Sequence, residues 1–327
     1  MEFVLHNHSS YPRIGEKPTQ QRLRRAYAAR ERGELSDAEL AAVEREQIDA
    51  LIHEQEQAGI DIVTDGQVRW HDPISHFMGG FEGVQIDGLL RYFDTNFYFR
   101  QPVITAQLQR REPILTHDFT MASRAARRIV KAVVTGPYTL ARHCILASGY
   151  RDVATLAQAL SEALVREVEE LVRAGAQIIQ VDEPAILAHP EDIRLLRQLL
   201  EPMWAVRGSA QLAVATYFAD AEPLYAQLNS LPADILVLDL TYSTGLADTI
   251  ASTGASKTLG LGVVDGRSTR LEDCAVVARR LTDMLRRYAL EHVHLLPSCG
   301  LEHLPRDAAL AKLSLLSEIR QALGATA

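Results

Sequence analysis

The stretch from Asp152 to Ala185 decides the fold. It opens Asp152-Val153-Ala154-Thr155-Leu156, closes its first half on Leu171-Val172-Arg173-Ala174-Gly175, and ends Ala176-Gln177-Ile178-Ile179-Gln180-Val181-Asp182-Glu183-Pro184-Ala185. Asp152–Ala174 has the spacing of an amphipathic helix. Gly175 stands where a helix wants a left-handed residue just past its end. Gln177–Val181 is a short, continuous apolar run, as expected of a strand buried on both faces in a parallel sheet. It stops abruptly at two carboxylates.

The same unit recurs outward in both directions. Strand-like runs are Phe3–Leu5, Ile60–Thr64, Ile129–Thr135, Gln177–Val181, Leu212–Ala215, Ile235–Leu238, Thr258–Val264 and His292–Leu296. Helical patterns separate them; in Ser36–Ala58, Ser36 and Glu39 form a capping box and Gly59 follows as the stop. Eight strands alternating with helices predict a single-domain (β/α)8 TIM barrel over 1–327. A doubly wound sheet is the alternative. It would carry a glycine-rich phosphate loop after an early strand, and neither GxGxxG nor GxxxxGK[ST] occurs. Residues 81–112 break the rhythm. They are aromatic-rich and alternate like strands, which predicts a β-hairpin inserted after the second strand, over the active face. An oligomer contact or a lid without chemistry is the plainer reading of the same segment.

Composition narrows the function. The 327 residues carry 34 Lys+Arg against 42 Asp+Glu, a net charge of −8, which argues against a general nucleic-acid binder. At 47% hydrophobic and 23% charged, the chain is of globular type rather than disordered. Cys144, Cys274 and Cys299 form no CxxC pair and no disulfide framework. The N-terminus lacks the pattern of a signal peptide, and no apolar run approaches the roughly 20 residues of a membrane helix. A reduced, cytoplasmic protein is expected.

In a parallel barrel the active site collects at the C-terminal strand ends. Here those ends read His6-Asn7-His8-Ser9-Ser10, Thr64-Asp65-Gly66-Gln67, Thr135-Gly136-Pro137, Asp182-Glu183, Asp239-Leu240-Thr241-Tyr242, Asp265-Gly266-Arg267 and Pro297-Ser298-Cys299-Gly300. Each has a structural reading. Asp182 and Asp239 suit helix caps, Asp65-Gly66 a turn, and Cys299 a small buried residue. His6 and His8 share a strand face, which suits two metal ligands or two rim histidines. Their density together favours an enzyme.

These ends also carry a family likeness. Ser10-Tyr11-Pro12-Arg13, Thr64-Asp65-Gly66-Gln67-Val68-Arg69 with Asp72, Arg100-Gln101-Pro102, Thr135-Gly136-Pro137-Tyr138-Thr139, Gln180-Val181-Asp182-Glu183-Pro184-Ala185, Val264 through Arg270 and Pro297-Ser298-Cys299-Gly300-Leu301 stand in order along the chain. The set resembles the catalytic C-terminal barrel of the cobalamin-independent methionine synthase family and its shorter single-barrel relatives. The resemblance implies the same barrel and an S-methyltransferase of the 5-methyltetrahydropteroyltriglutamate–homocysteine type, acting in methionine biosynthesis. It implies a zinc-held homocysteine thiolate that attacks the methyl group of methyltetrahydrofolate, or of methylcobalamin as the other donor considered. The expected partners are small molecules: a thiol and a methyl donor. A homo-oligomer or a corrinoid protein is the macromolecular partner to consider, with no nucleic acid and no membrane.

Carried over residue by residue, the resemblance places Ser10 against the amino-acid carboxylate and Asp182 against its amino group. Arg13, Gln67, Glu183 and Tyr217 complete the substrate set, and Asp265 and Arg267 face the donor as catalytic residues. The metal ligands carried over are Cys299 and Asp239, with His6 and His8 as weaker candidates and His71 and His143 as further sources. The chain departs from the family at the fifth strand, which ends Val214-Ala215-Thr216-Tyr217-Phe218 where the family has His-x-Cys. Gln67 replaces a family acid, and Arg267 stands where the long enzymes have a histidine. Two alternatives therefore stay open: a non-catalytic barrel that binds folate or an amino acid, and a divergent metal-free enzyme.

Overall fold

Eight strands form one sheet in the order β1-β11-β10-β9-β8-β7-β5-β2. They are β1 (Glu2–Leu5), β2 (Ile62–Val63), β5 (Ile129–Thr135), β7 (Ile178–Asp182), β8 (Gln211–Thr216), β9 (Ile235–Asp239), β10 (Thr258–Val264) and β11 (His292–Pro297). The pairs β1–β11, β2–β5, β5–β7, β7–β8 and β8–β9 are parallel. A parallel bridge between His6 and Ile62 links the two ends of that order. This is the topology of a (β/α)8 barrel, as expected from the spacing of the apolar runs. The structure is a computed structural model that describes residues 2–287 and 292–326.

Local signals in the sequence act where they were read. Ser36 Oγ accepts from Glu39 N (3.3 Å), the Glu39 carboxylate accepts from Ser36 N (2.8 Å), and the helix Asp37–Gln57 follows. Gly59 and Gly175 take φ of 84° and 94°, a left-handed conformation that a side chain would strain. The run expected over Ile60–Thr64 keeps only two residues in ladder form. Gln55 explains this: its amide accepts from Thr64 N (2.9 Å) and donates to Thr64 O (3.0 Å), taking both backbone groups that a longer strand would use.

The expected hairpin is present as β3 (Phe81–Arg91) and β4 (Tyr98–Arg110), paired antiparallel with two register shifts. β4 also pairs in parallel with the two-residue β6 (Ile145–Leu146), giving a separate three-stranded sheet. Backbone contacts group the chain into two units. The first comprises Met1–Arg69, Thr120–Val130 and Leu261–Ala327; the second comprises Trp70–Phe119 and Lys131–Gly260. No helix among the described residues is long and apolar enough to cross a membrane.

Candidate active site

In the second unit, the parallel register of β5 and β7 sets Lys131, Val133 and Thr135 beside Ile178, Gln180 and Asp182, so these side chains share one face. Lys131 Nζ donates to Gln180 Oε1 at 2.6 Å. Gln180 Nε2 donates to Asp182 Oδ1 at 2.7 Å, and Tyr217 OH donates to Asp182 Oδ2 at 3.1 Å. The Asp182 carboxylate is buried, with both oxygens oriented by side chains. Burial pushes the Lys131 ammonium well below the usual lysine range, and the Asp182 charge opposes that shift.

Glu183 points to a different task. Its carboxylate accepts from Tyr138 N (2.9 Å), Thr139 N (2.7 Å) and Thr139 Oγ1 (2.6 Å), at the start of the helix Pro137–Arg142. Pro137 has no N–H and Gly136 no side chain to cap with, so Glu183 supplies the acceptor from across the strand end. A Cβ on Gly136 would lie 2.2 Å from the Glu183 carboxyl carbon, so only glycine lets that carboxylate in. Burial raises the Glu183 pKa to about 7, partly offset by these three donors.

Asp239, at the end of β9, turns back on its own loop. Oδ1 accepts from Thr241 N (2.8 Å), Thr241 Oγ1 (2.7 Å) and Tyr242 N (3.0 Å). Asp72 accepts from Ile74 N, Ser75 N and Ser75 Oγ, and also from Arg100 N (3.1 Å), which ties β4 to the segment after β2. The hairpin tip is pinned by aromatic rings. Phe93 lies 5.4 Å from Phe218 and 5.0 Å from His143, and Tyr92 lies 6.0 Å from Phe218. Phe93 and Phe218 both adopt positive φ, 50° and 73°, a costly conformation for a phenylalanine. Burial lowers the His143 pKa, and its hydrogen bond with Thr139 O opposes that shift.

The first unit gathers the other strand ends. Thr64 Oγ1 donates to Ser9 O (2.6 Å) and accepts from Asn7 Nδ2 (2.8 Å), joining the ends of β1 and β2. Ser10 Oγ is buried with no hydrogen-bond partner, and it fills the space that a Cβ on Gly300 would need. Arg13 Nη1 donates to Val68 O (3.1 Å), and Gln67 takes φ of 54° in a turn closed on Asp65 Oδ1. After β10, Arg267 N donates to Asp265 Oδ1 (2.8 Å) and Asp265 N to Glu272 Oε1 (2.8 Å). Cys299 is fully buried, its Sγ donating to Gly300 O at 3.4 Å. The His6 ring packs on His294 with centroids 4.4 Å apart, and His8 Nδ1 lies 3.0 Å from Ser9 Oγ.

Residues 11–322 match a family model described as the catalytic domain of cobalamin-independent synthase. The chain belongs to that family. A methionine synthase of Saccharolobus solfataricus is 30% identical over 308 residues, covering 93% of this chain and 92% of its own. One from Thermococcus kodakarensis is 30% identical over 312 residues, covering 92% and 89%. Among solved structures, a B12-independent methionine synthase from Shewanella sp. W3-18-1 superposes with a TM-score of 0.82 at 20% identity, covering 98% of both chains. Membership bears out the expected barrel and the expected methionine-synthase-like methyltransferase. It also corrects one choice of donor: methylcobalamin does not suit a family defined as cobalamin-independent.

The zinc that the resemblance implied meets a poor donor set. Among the described residues, no group of three or more His, Cys, Asp or Glu side chains is gathered to hold a metal ion. Asp239 spends one oxygen on three donors of its own turn, and the His6 ring packs at a tilt on His294.

Lys131 is absent from the residues singled out by sequence, and Gln180 appears there only inside a family motif. The signal was there in a weak form: a lysine inside an otherwise apolar run. A glutamine two residues before Asp182 is likewise on the same strand face. The aromatic pin at Tyr92, Phe93 and Phe218 joins residues more than a hundred positions apart, and no local pattern announces it.

Proposed function

We propose that this protein is a cytoplasmic methyltransferase that carries a methyl group from a reduced folate to the sulfur of a small thiol amino acid such as homocysteine. Family membership supports the reaction class. The observation that carries the assignment is Asp182, a buried carboxylate at the end of β7 whose two oxygens are oriented by Gln180 and Tyr217. Such a group suits an α-ammonium, which it would bind through charge-assisted hydrogen bonds.

The remaining roles follow from the side chains. Ser10, with its buried and unpartnered hydroxyl, suits the amino-acid carboxylate. Arg13 and Gln67 belong to the proposed substrate set. Glu183 serves it by fixing the turn after β5, and Tyr217 by orienting Asp182. Asp265 and Arg267 face the donor. Arg267 is a permanent cation, suited to a carboxylate or phosphate on the donor and not to proton transfer. Cys299 lines the thiol's pocket, and the hairpin 81–112 lies over the active face, a placement supported by its tip's packing on Phe218. In the transfer, the thiol first loses its proton, because the thiolate is the nucleophile. The sulfur lone pair then forms the S–C bond as the bond from carbon to the donor nitrogen breaks. That nitrogen keeps the electron pair and takes up a proton.

Calorimetric titration with L-homocysteine and with reduced folates, run beside a turnover assay, tests this reading. Asp182→Ala should weaken L-homocysteine binding by about 10- to 100-fold, the value of one charge-assisted pair. Unchanged binding would remove Asp182 from the pocket. One observation favours a second reading, a non-catalytic binding barrel: among the described residues no three metal donors are gathered. Binding without turnover under any metal loading would support it.

A further inference from the structure

We propose that Lys131 is a positioning residue that, through Gln180, keeps Asp182 ionised and oriented for an amino-acid ammonium group. The inference rests on the reading of Asp182 given above. Lys131 is 1% exposed in the middle of the strand Ile129–Thr135, whose other residues are apolar or small. Burying an ammonium carries a large desolvation cost, and an apolar side chain of similar volume is often as stable or more so. Stability therefore gives little reason for a lysine here. Its contacts give another.

Lys131 Nζ has a 2.6 Å hydrogen bond to a neutral amide oxygen, with no carboxylate in direct contact. The charge that balances it is Asp182, one residue's length away through Gln180. The amide can satisfy both ends in only one orientation, with its oxygen toward the ammonium and its nitrogen toward the carboxylate. An ammonium on the oxygen side polarises the amide and strengthens the N–H donated to Asp182. The adjacent Glu183 is also a buried acid, so two carboxylates compete for ionisation at this strand end. When protonated, Lys131 favours an ionised Asp182 through the Gln180 amide. Tyr217 OH then fixes the second oxygen, and the carboxylate meets its ligand already aimed.

A structural lysine and a positioning lysine differ in what their loss does to ligand selectivity. Lys131→Met should raise the dissociation constant of L-homocysteine about tenfold or more by calorimetry. It should leave the affinity for 4-mercaptobutanoate, the same thiol acid without the amine, unchanged within about twofold. Gln180→Leu should do the same, and Lys131→Met added to Gln180→Leu should cost nothing more, because both act along one path. Equal losses for both ligands, no loss for either, or full additivity in the double variant would overturn the proposal. If Lys131→Met does not fold, as judged by its thermal transition, Gln180→Leu carries the same test. Asp182→Asn separates the two levels. If L-homocysteine binding survives Asp182→Asn, the reading of Asp182 falls; if it is lost there but unaffected in Lys131→Met, only the role of Lys131 falls.

Discussion

Each unit of the molecule buries one lysine completely, and the two are held in opposite ways. Lys312, in the helix Arg306–Thr326, donates to both oxygens of Glu272 (2.7 and 2.9 Å) and to Arg270 O (2.6 Å). Its charge is neutralised on the spot, and Glu272 in turn accepts from Asp265 N, so the pair clamps the loop after β10. Lys131 meets only a neutral amide and finds its counter-charge one step further on, at Asp182. A buried cation paired directly stabilises a loop. One paired through a relay biases the carboxylate at the far end of that relay.

The contrast breaks most easily at Lys312. Lys312→Met strands the Glu272 carboxylate and should cost about 3–5 kcal/mol, seen as a fall in Tm of roughly four to seven degrees. A shift of only a degree or two would show that the clamp is not stabilising. Glu183→Gln comes next. An amide cannot accept all three donors of the Pro137–Arg142 turn, and a loss of about 1–3 kcal/mol is expected in urea unfolding. The wild type adds a pH signature. Glu183 binds its proton more tightly folded, with the pKa raised from 4.5 to about 7, so its contribution is full below about 4.5 and declines as pH rises through 7. Glu183→Gln should remove that slope, and a variant that kept it would assign the slope elsewhere.

Lys131→Met should move stability by less than about 2 kcal/mol, because the lost partner of Gln180 is offset by the relief of a buried ammonium. If it matched Lys312→Met in thermal unfolding, the two lysines would be structural alike and the distinction would collapse. The smallest effect is expected at an exposed cap. Ser36→Ala should cost about 1 kcal/mol in chemical denaturation, with ligand binding untouched. A larger loss would mean that the first unit depends on this helix end more than on its buried clamp.

Most of the barrel was legible along the chain because its signals are local. Apolar runs, a capping box at Ser36 and Glu39, and glycines at 59 and 175 each act within a few residues. The hairpin was legible for the same reason, since alternation needs only its own strands. The candidate site was legible only in part. Sequence placed Asp182, Asp239, Asp265 and Glu183 at strand ends, and only the family resemblance told them apart. In the structure, Asp239 and Asp265 accept from their own loops, Glu183 caps a helix from another strand, and Asp182 alone of the four is oriented by a buried side-chain chain.

Sequence by itself determined the order of elements, the family motifs and the residue types waiting at each strand end, because periodicity and motif spacing are properties of one dimension. Tertiary structure decided which groups hold each acid. A carboxylate's role depends on the donors that reach it and on the water it has lost, and those come from other strands: Gln180 and Lys131 for Asp182, Tyr138 and Thr139 for Glu183.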